Sequence, residues 1–414
     1  MTGTVTDPSG AVIPGVRVTV VNTGTAFERQ AATNELGYYT IPLLPPGSYR
    51  ITLEKEGFRP ISQAGITLHV DQVAKLDFAL EVGALTEAVE IKAAPPLLEA
   101  SSSSLGQVVG SKQFIDLPLN NRSALGLIAI SGTLSTMSGY NPDSYSGANR
   151  FSASGSRPGQ NEMLLDGAPN TLPGVWPGRG ILGSLIVVDA VQEFKVQTSA
   201  FSAEFGRTGG GLINMISRSG TNEWHGSLFE FLRNSAMDAN DFFNNRSGIK
   251  LASFKRNQFG GTLGGPLRLP RIYDGRNRTF FFTNYQGTRA RTQQTLTSTV
   301  PTAAARGGDF AALATARGEP IVIYDPLTTQ TGATPLRQPF PGNRIPSDRI
   351  NPAATKAATY FPQPNQPGSL NNLVLSEASG LASDLFGVRV DHALRSNQQI
   401  FGRYNHTRYD DLLP

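Results

Sequence analysis

The amino-acid sequence predicts a mainly β protein built from an N-terminal Greek-key β-sandwich, a mixed α/β unit and the first strands of an incomplete transmembrane β-barrel. Apolar and polar residues alternate in many short segments, which is the period of a half-buried strand. Glycine (44 residues) and proline (28 residues) punctuate these segments, so long helices are not expected. Charged residues make up 16% of the chain, below the roughly 25% of an ordinary soluble domain.

Composition excludes several classes of protein. The net charge of +4 is small, and no block of lysine and arginine stands out, so nucleic acid is not an expected partner. The absence of cysteine excludes a disulfide framework and a thiolate metal site. No stretch reaches the roughly 18 apolar residues of a membrane-spanning helix. The chain starts directly in a strand pattern, which fits a cytosolic protein, a processed exported protein or a fragment.

Residues 1–82 are predicted to form the sandwich. Val16, Val18 and Val20 alternate with polar residues, and turn signals recur at the spacing of a small antiparallel sandwich. The segment contains the motifs G-x-V-x-D from Gly3, I-P-G-V, T-N-x-x-G-x-Y and L-x-P-G-x-Y-x-I. These motifs resemble the carboxypeptidase regulatory-like domain, a Greek-key module of immunoglobulin-like or transthyretin-like shape. The resemblance implies a fold and carries little information about function.

Residues 83–105 are predicted to be a linker that contains one short strand. Residues 85–91 alternate, and they are followed by Pro95-Pro96 and by four serines from Ser101. A lone strand cannot bury a face of its own. It therefore either docks on the sandwich as a connecting strand or adds to the sheet of another protein through its main chain.

Residues 106–222 are predicted to form the mixed α/β unit, with short helices after Ser111 and Ser123. Alternating strands are expected near 151–156 and 162–165, a tight turn at Asp166-Gly167, and a further strand near 191–196. The segment contains Q-V-V-x-S-K-Q-F-I-D-L-P-L-N-N-R, S-R-P-G-Q-N-E-M-L-L-D-G, V-Q-E-F-K-V-Q-T, S-A-E-F-G-R-T-G-G-G and S-R-S-G-T-N-E-W-H-G-S. These motifs, in this order, resemble the plug domain of TonB-dependent outer-membrane receptors. The regulatory-like domain in front resembles the Oar-like receptors in particular.

Residues 223–414 are predicted to begin a β-barrel. Phe386 and Val390 alternate with Arg389 and Asp391, as expected for a strand with an apolar outer face and a polar inner face. Strands are expected near 223–233, 255–265, 279–291, 384–394 and 398–409, with connections that alternate between long and short. A plugged barrel needs about 22 strands, so the sequence predicts a fragment of a longer protein.

The resemblance implies that the protein lies in the bacterial outer membrane in contact with lipid, and that a TonB-type energy-transducing protein pulls on a short segment before the plug. The candidate for this TonB box is the linker strand: Thr86, Glu87, Ala88, Val89, Glu90 and Ile91. Contact with an unidentified extracellular ligand is expected from loops that interrupt the plug strands. The candidate residues there are Tyr140, Asn141, Tyr145, Trp176 and Arg179.

Enzymatic function is not expected, and no cofactor or metal is predicted. The four histidines, at positions 69, 225, 392 and 406, are scattered without zinc-site spacing. No G-x-S-x-G elbow is present to anchor a hydrolase triad. Two other classes of protein also account for residues 1–82. An adhesion or structural protein would repeat the sandwich, and a secreted enzyme would need a catalytic cluster. Neither explains residues 106–234.

Overall fold

The structure is a computed structural model that describes residues 1–83, 89–91, 105–111, 113, 122–123, 125–126, 134–136, 151–153, 155–157, 159–172, 181–206, 208–246, 250–315, 317–330, 336–395 and 398–412. Strands dominate these residues, which confirms the mainly β prediction. Among them, no helix is both long and apolar enough to cross a membrane.

The N-terminal module, residues 1–83, consists of two sheets around one apolar core. Its strands, together with the linker strand β8, are β1 (Thr2–Thr6), β2 (Arg17–Asn22), β3 (Glu28–Ala32), β4 (Tyr38–Thr40), β5 (Gly47–Glu54), β6 (Ile61–Leu68), β7 (Phe78–Ala79) and β8 (Val89–Ile91). One sheet has the order β3-β2-β5-β6-β8 and the other β4-β1-β7.

The alternating valines explain how the module's core forms. Val18 pairs with Leu53 and Val20 with Ile51 across the antiparallel strands β2 and β5, and all four side chains are fully buried. The tyrosine Tyr49 packs in the same core, and its hydroxyl donates to the carbonyl of Pro45 at 2.6 Å. Burial raises the pKa of this phenol to about 12. The predicted alternation in this segment is therefore confirmed.

The linker strand docks on the N-terminal module, which is one of the two arrangements that the sequence left open. Val89 to Ile91, strand β8, pair in parallel with Ile61 to Gln63 of β6, at the edge of the larger sheet. Residues 84–88 lie outside the described residues. The observed arrangement is thus a short strand docked on the N-terminal module.

A second five-stranded sheet, the central sheet, follows. The strands of this region are β9 (Leu105–Gly110), β10 (Leu134–Thr136), β11 (Phe151–Ala153), β12 (Glu162–Leu165), β13 (Ala168–Pro169), β14 (Thr171–Leu172), β15 (Ile181–Leu182), β16 (Val191–Ser199) and β17 (Leu212–Ser217). The order in the central sheet is β13-β12-β17-β16-β9, with β12 and β17 parallel. A 3₁₀ turn spans Val188–Ala190.

The two faces of the central sheet differ in polarity. Phe194 and Val196 of β16 lie on one face, opposite Met215 and Ile213 of β17, and these residues join an apolar core with Phe151. Lys195 and Asn214 pair on the other face. Strand β12 was expected to alternate, but all four of its residues are buried. It lies inside the sheet, between β13 and β17, and both of its faces are covered.

The helical part of the mixed α/β prediction remains a prediction. Ser111 and Gln113 have helical conformation, but most of the two expected helices lies outside the described residues.

The third sheet, the strand array, has the order β18-β19-β22-β23-β24. The strands of this region are β18 (His225–Asn234), β19 (Phe254–Pro266), β20 (Arg268–Leu269), β21 (Tyr273–Asp274), β22 (Thr279–Ser298), β23 (Leu373–Arg395) and β24 (Gln398–Leu412). All five predicted barrel strands are present. Strands β22 and β23 run further into the very long connection than the apolar pattern indicated, because polar residues continue the strands there.

Side chains of β23 alternate as expected. Phe386 and Val390 are exposed on one face, whereas Arg389 and Asp391 on the other face are largely covered. On β22 the covered face also carries Phe282, which packs with Val187 next to the central sheet. The inner face is therefore polar over part of its length, and it carries an apolar contact at Phe282.

Residue contacts divide the chain into two compact units. The first comprises Met1–Phe231, Gln258–Thr288 and Ser383–Tyr409, and the second Leu232–Asn257, Arg289–Ala382 and Asp410–Pro414. The second unit contains the short helices α1 (Phe242–Arg246), α2 (Ala303–Arg306) and α3 (Pro352–Ala358), and 3₁₀ turns at Ser235–Met237, Pro326–Thr328, Pro341–Asn343 and Ser347–Arg349. Its internal contacts include a two-bond ion pair between Arg349 and Asp325.

Candidate functional site

The candidate site is a charged junction at the tip of a hairpin in the central sheet. Asp166 and Gly167 form the two-residue turn between β12 and β13, where Leu165 pairs with Ala168. Both turn residues have positive φ, 52° and 78°, as a type I′ hairpin requires, and glycine adopts that conformation without a steric penalty. The turn predicted from the Asp-Gly sequence is confirmed.

The hairpin fixes the Asp166 carboxylate within the central sheet. Oδ1 accepts a hydrogen bond from the Ser217 backbone N–H at 2.8 Å, and Oδ2 accepts one from the Ser217 hydroxyl at 2.8 Å. The Asp166 N–H in turn donates to the carbonyl of Met215 at 2.8 Å. The carboxylate is thus held by the neighbouring strand, and its side chain is 6% exposed.

Two arginines from the strand array complete the site. Arg389 of β23 donates from Nη1 to Asp166 Oδ1 at 3.1 Å, and Arg403 of β24 donates from Nη1 to Asp166 Oδ2. Arg389 also donates from Nη2 to Asp391 at 2.8 Å, and its guanidinium lies 4.5 Å from the ring centre of Phe401. The Asp391 carboxylate accepts a further bond from the Ser219 hydroxyl at 2.7 Å.

The charges of this junction balance. Two carboxylates face two guanidinium groups, and the side chains of Arg389 and Arg403 are only 13% and 19% exposed. Charges taken out of water must be paired, and an arginine fork pairs with carboxylates through directional bonds. The junction therefore fixes the position of the central sheet against β23 and β24. It does so with polar bonds that water can replace, in addition to the apolar contact of Phe282 with Val187.

A further arginine links the 3₁₀ turn before β16 to the strand array. Arg122 donates from Nη2 to Asp189 at 2.6 Å, and its guanidinium lies 4.5 Å and 4.0 Å from the ring centres of Phe229 and Phe231 on β18. Ion pairing and cation–π contact together hold this arginine against the first strand of the array.

The residues predicted to touch a ligand or an energy-transducing partner are mostly not described. Tyr140, Asn141, Tyr145, Trp176 and Arg179 lie outside the described residues, as do Thr86, Glu87 and Ala88. Val89, Glu90 and Ile91 form β8 at the edge of the N-terminal module. Their assignment to a TonB box remains a prediction.

The sequence pattern indicated which residues of β23 lie on its inner face, but not which residues these side chains bind. Arg389, Asp391 and Arg403 are charged residues at inner positions of alternating strands, and that placement was the available signal. Asp166 was expected at a hairpin turn, and the structure adds its ion pairs with the strand array. Within the described ranges, no three histidine, aspartate or glutamate side chains lie close enough together to hold a metal ion.

Comparison with known proteins gives two matches to family models and one relative. Residues 1–81 match the carboxypeptidase regulatory-like domain, and residues 216–414 match the outer membrane beta barrel domain. The TonB-dependent transporter Oar of Myxococcus xanthus is 29% identical over 278 residues, which is 66% of this chain and 26% of Oar. The chain thus spans about a quarter of the length of that relative.

Solved structures show only a distant likeness. The outer membrane transporter YddB of Escherichia coli is 13% identical, with a TM-score of 0.36 that covers 69% of this chain and 33% of YddB. The ferric enterobactin receptor PfeA of Pseudomonas aeruginosa is 14% identical, with a TM-score of 0.38 that covers 75% of this chain and 34% of PfeA. At these TM-scores the likeness adds nothing to the sequence matches. Those sequence matches make the chain an outer-membrane protein, homologous to the TonB-dependent transporter Oar, with a carboxypeptidase regulatory-like domain at its start.

Proposed function

We propose that the chain is part of an energised outer-membrane transporter that takes up or exports an unidentified ligand. In this proposal the N-terminal module is a Greek-key sandwich in the periplasm. The region of the central sheet is the plug, and the strand array is the first part of the barrel around it. The homology to Oar supports this proposal, in which the chain has a transport role and no enzymatic one.

The junction at Asp166 is the observation that carries the proposal. A plug has to stay closed at rest and still move when it is pulled. An apolar interface of equal size would expose apolar surface to water at each opening, whereas the groups of an ionic junction can be hydrated again. Arg389 and Arg403 supply such a junction between the central sheet and two adjacent strands of the array.

The energy-transducing partner is proposed to capture residues 86–91. Within the described part of the linker, strand β8 is an edge strand that pairs with β6 through Val89 to Ile91. Its outer edge offers main-chain donors and acceptors to a further strand, which is the requirement for β-augmentation. Glu87 and Glu90 make the segment more acidic than its apolar alternation would suggest.

A pull-down tests the capture of residues 86–91. The C-terminal domain of a TonB-type protein from the source bacterium is immobilised and incubated with the purified chain. Val89→Pro should abolish retention, because proline removes a ladder donor and its ring disrupts strand pairing. Ala93→Pro, in the same linker but outside the segment, is the matched control and should bind like the unchanged chain.

The outcomes of the pull-down separate two claims. Retention of Val89→Pro would disprove the assignment of residues 86–91, and dependence on a TonB-type partner would stand. Failure of the unchanged chain to bind any such domain of the source bacterium would instead contradict the dependence itself.

The ligand is proposed to contact loops of the plug that face the outside. Tyr140, Asn141, Tyr145, Trp176 and Arg179 are the candidates, because aromatic and polar side chains in such loops can bind a ligand by stacking and hydrogen bonding.

A further inference from the structure

The polar face of the central sheet is buried, which requires a partner. Glu193, Lys195 and Asn214 lie on this face and are 5%, 2% and 3% exposed. A buried charge without a partner is costly, so a sheet does not bury such residues without compensation. The partner is a turn of the N-terminal module.

This docking turn, residues 69–71, directly follows β6 and is held in shape by its own side chains. The His69 N–H donates to Gln72 Oε1 at 2.9 Å, and the Gln72 N–H donates to the His69 carbonyl at 3.2 Å. Asp71 has a positive φ of 52°. Val70, in the middle of the turn, is only 1% exposed, although turn residues normally face solvent. Its burial shows that the turn is inserted against another surface.

The docking turn and the central sheet are complementary in charge and in hydrogen bonding. The Val70 N–H donates to Glu193 Oε1 at 2.5 Å, and His69 Nδ1 lies 2.7 Å from Glu193 Oε2. In the opposite direction, Lys195 Nζ donates to the Asp71 carbonyl at 3.2 Å, and Asn214 Nδ2 donates to the Asp71 carboxylate at 3.1 Å. The acidic group of each partner thus meets donors of the other.

Two further loops at the same end of the N-terminal module contact the central sheet or the segment that follows it. Gln192 Nε2 donates to the Pro46 carbonyl at 3.4 Å. The Asn222 N–H, in the segment that leads from the central sheet to β18, donates to the Gly24 carbonyl at 2.9 Å. Asn222 also exchanges hydrogen bonds with Asn277, at the turn before β22.

We propose that the N-terminal module is an intramolecular clamp on the central sheet. The docking turn, seated on Glu193, Lys195 and Asn214, holds β16 and β17 closed, and release of the turn permits the sheet to open. The clamp acts on β16, which pairs with β9 in the central sheet. Strand β9 is the edge strand of this sheet and directly follows the linker. The clamp acts in this way whatever ligand or energy-transducing partner the protein uses.

Hydrogen exchange of the purified chain in detergent tests the clamp. Glu193→Ala removes the acceptor for the docking turn and leaves Val70 N–H buried without a partner. Amides of β9 and β16 should then exchange about tenfold or more faster, since an unpaired buried donor weakens closure. Glu81→Ala is the matched control, because its carboxylate is 63% exposed and pairs with Arg59 within the module. It should leave the exchange of both strands unchanged.

A second variant changes the module instead of the sheet. Asp71→Gly removes the carboxylate that binds Asn214, while glycine accepts the positive φ of this position without strain. The module should therefore keep its own protection while β9 and β16 lose theirs. Unchanged exchange of β9 and β16 in both Glu193→Ala and Asp71→Gly would overturn the proposal.

A disulfide distinguishes a clamp from simple destabilisation of the sheet. A Cβ placed on Gly24 lies 3.8 Å from the Thr221 Cβ, which is the separation of a normal disulfide, and the chain has no cysteine of its own. Gly24→Cys/Thr221→Cys should form a disulfide that fastens the module to the segment after the central sheet.

The cysteine pair is then combined with Glu193→Ala. Oxidation should restore slow exchange in β9 and β16, and reduction should abolish the rescue. Fast exchange in the oxidised protein would show that Glu193 stabilises the sheet without the module, and the clamp would be refuted.

Discussion

Removal of the Asp166 carboxylate should destabilise the strand array against the central sheet. Asp166→Ala leaves the guanidinium of Arg403 without its carboxylate, whereas Arg389 keeps its bonds to Asp391. Loss of one partner from a buried ion pair costs about 3–5 kcal/mol, and residual exposure lowers that cost. With Arg403 19% exposed, we expect a loss of about 2–3 kcal/mol in the free energy of unfolding.

A double-mutant cycle isolates the ion pair from other effects of the substitution. Arg403→Met alone should cost less, and Asp166→Ala/Arg403→Met should be more stable than the sum of the single changes predicts, by about 1–2 kcal/mol. The gain has a simple cause, since the double variant contains no unpaired guanidinium at this position.

The assay is urea unfolding of the purified chain in detergent, followed by tryptophan fluorescence. The chain has two tryptophans, so a Trp176→Phe background leaves Trp224 as the probe. Trp224 precedes β18, and its ring lies 5.5 Å from the ring of Phe281 in the strand array. Additivity of the two substitutions within about 0.5 kcal/mol would refute the pairing of Asp166 with Arg403.

Three further predictions concern other parts of the chain. Leu53→Ala, at a fully buried position of the N-terminal core, should cost about 2–5 kcal/mol of stability in denaturant unfolding, whereas Leu36→Ala, at a 72% exposed side chain, should change it by less than about 0.5 kcal/mol. Gly220→Ala should lower the thermal midpoint, because its Cβ would lie 2.4 Å from the Phe281 carbonyl oxygen; Gly402→Ala, with open space around it, should not. The pKa of Asp7 is lowered from 3.8, first by the hydroxyl of the serine two residues along and then by backbone N–H groups. The ionised Asp7 carboxylate therefore stabilises the folded state above pH 3.8, and this stabilisation is lost as the pH falls through the lower pKa of the folded state. Asp7→Asn should flatten the dependence of folding stability on pH in that range. An equally steep profile in Asp7→Asn would contradict this assignment.

Much of the local structure was predictable from short-range pattern. The alternation of Val16, Val18 and Val20 determines which face of β2 is buried, because successive strand residues point to opposite faces. The Asp166-Gly167 pair determines a tight hairpin, because both residues tolerate positive φ. The same alternation predicted that Arg389 and Asp391 lie on the inner face of their strand.

The ends of strands and the burial of β12 were less predictable from the sequence. Residues 162–165 suggested an alternating strand, yet the neighbours on both sides and the layers on both faces bury all four residues. Burial on both faces depends on elements that are distant in sequence, so the residues around 162–165 alone do not predict it.

The sequence by itself determined a β-rich chain, the faces of its strands, its main turns and its resemblance to a family. The tertiary structure decided which charges meet. Asp166 lies more than two hundred residues before Arg389 and Arg403, and Glu193 lies over a hundred residues after the docking turn that it binds. Side-chain direction follows from the local period of the backbone, whereas the partner of a buried charge is set by which sheets pack together. That packing is a property of the whole fold.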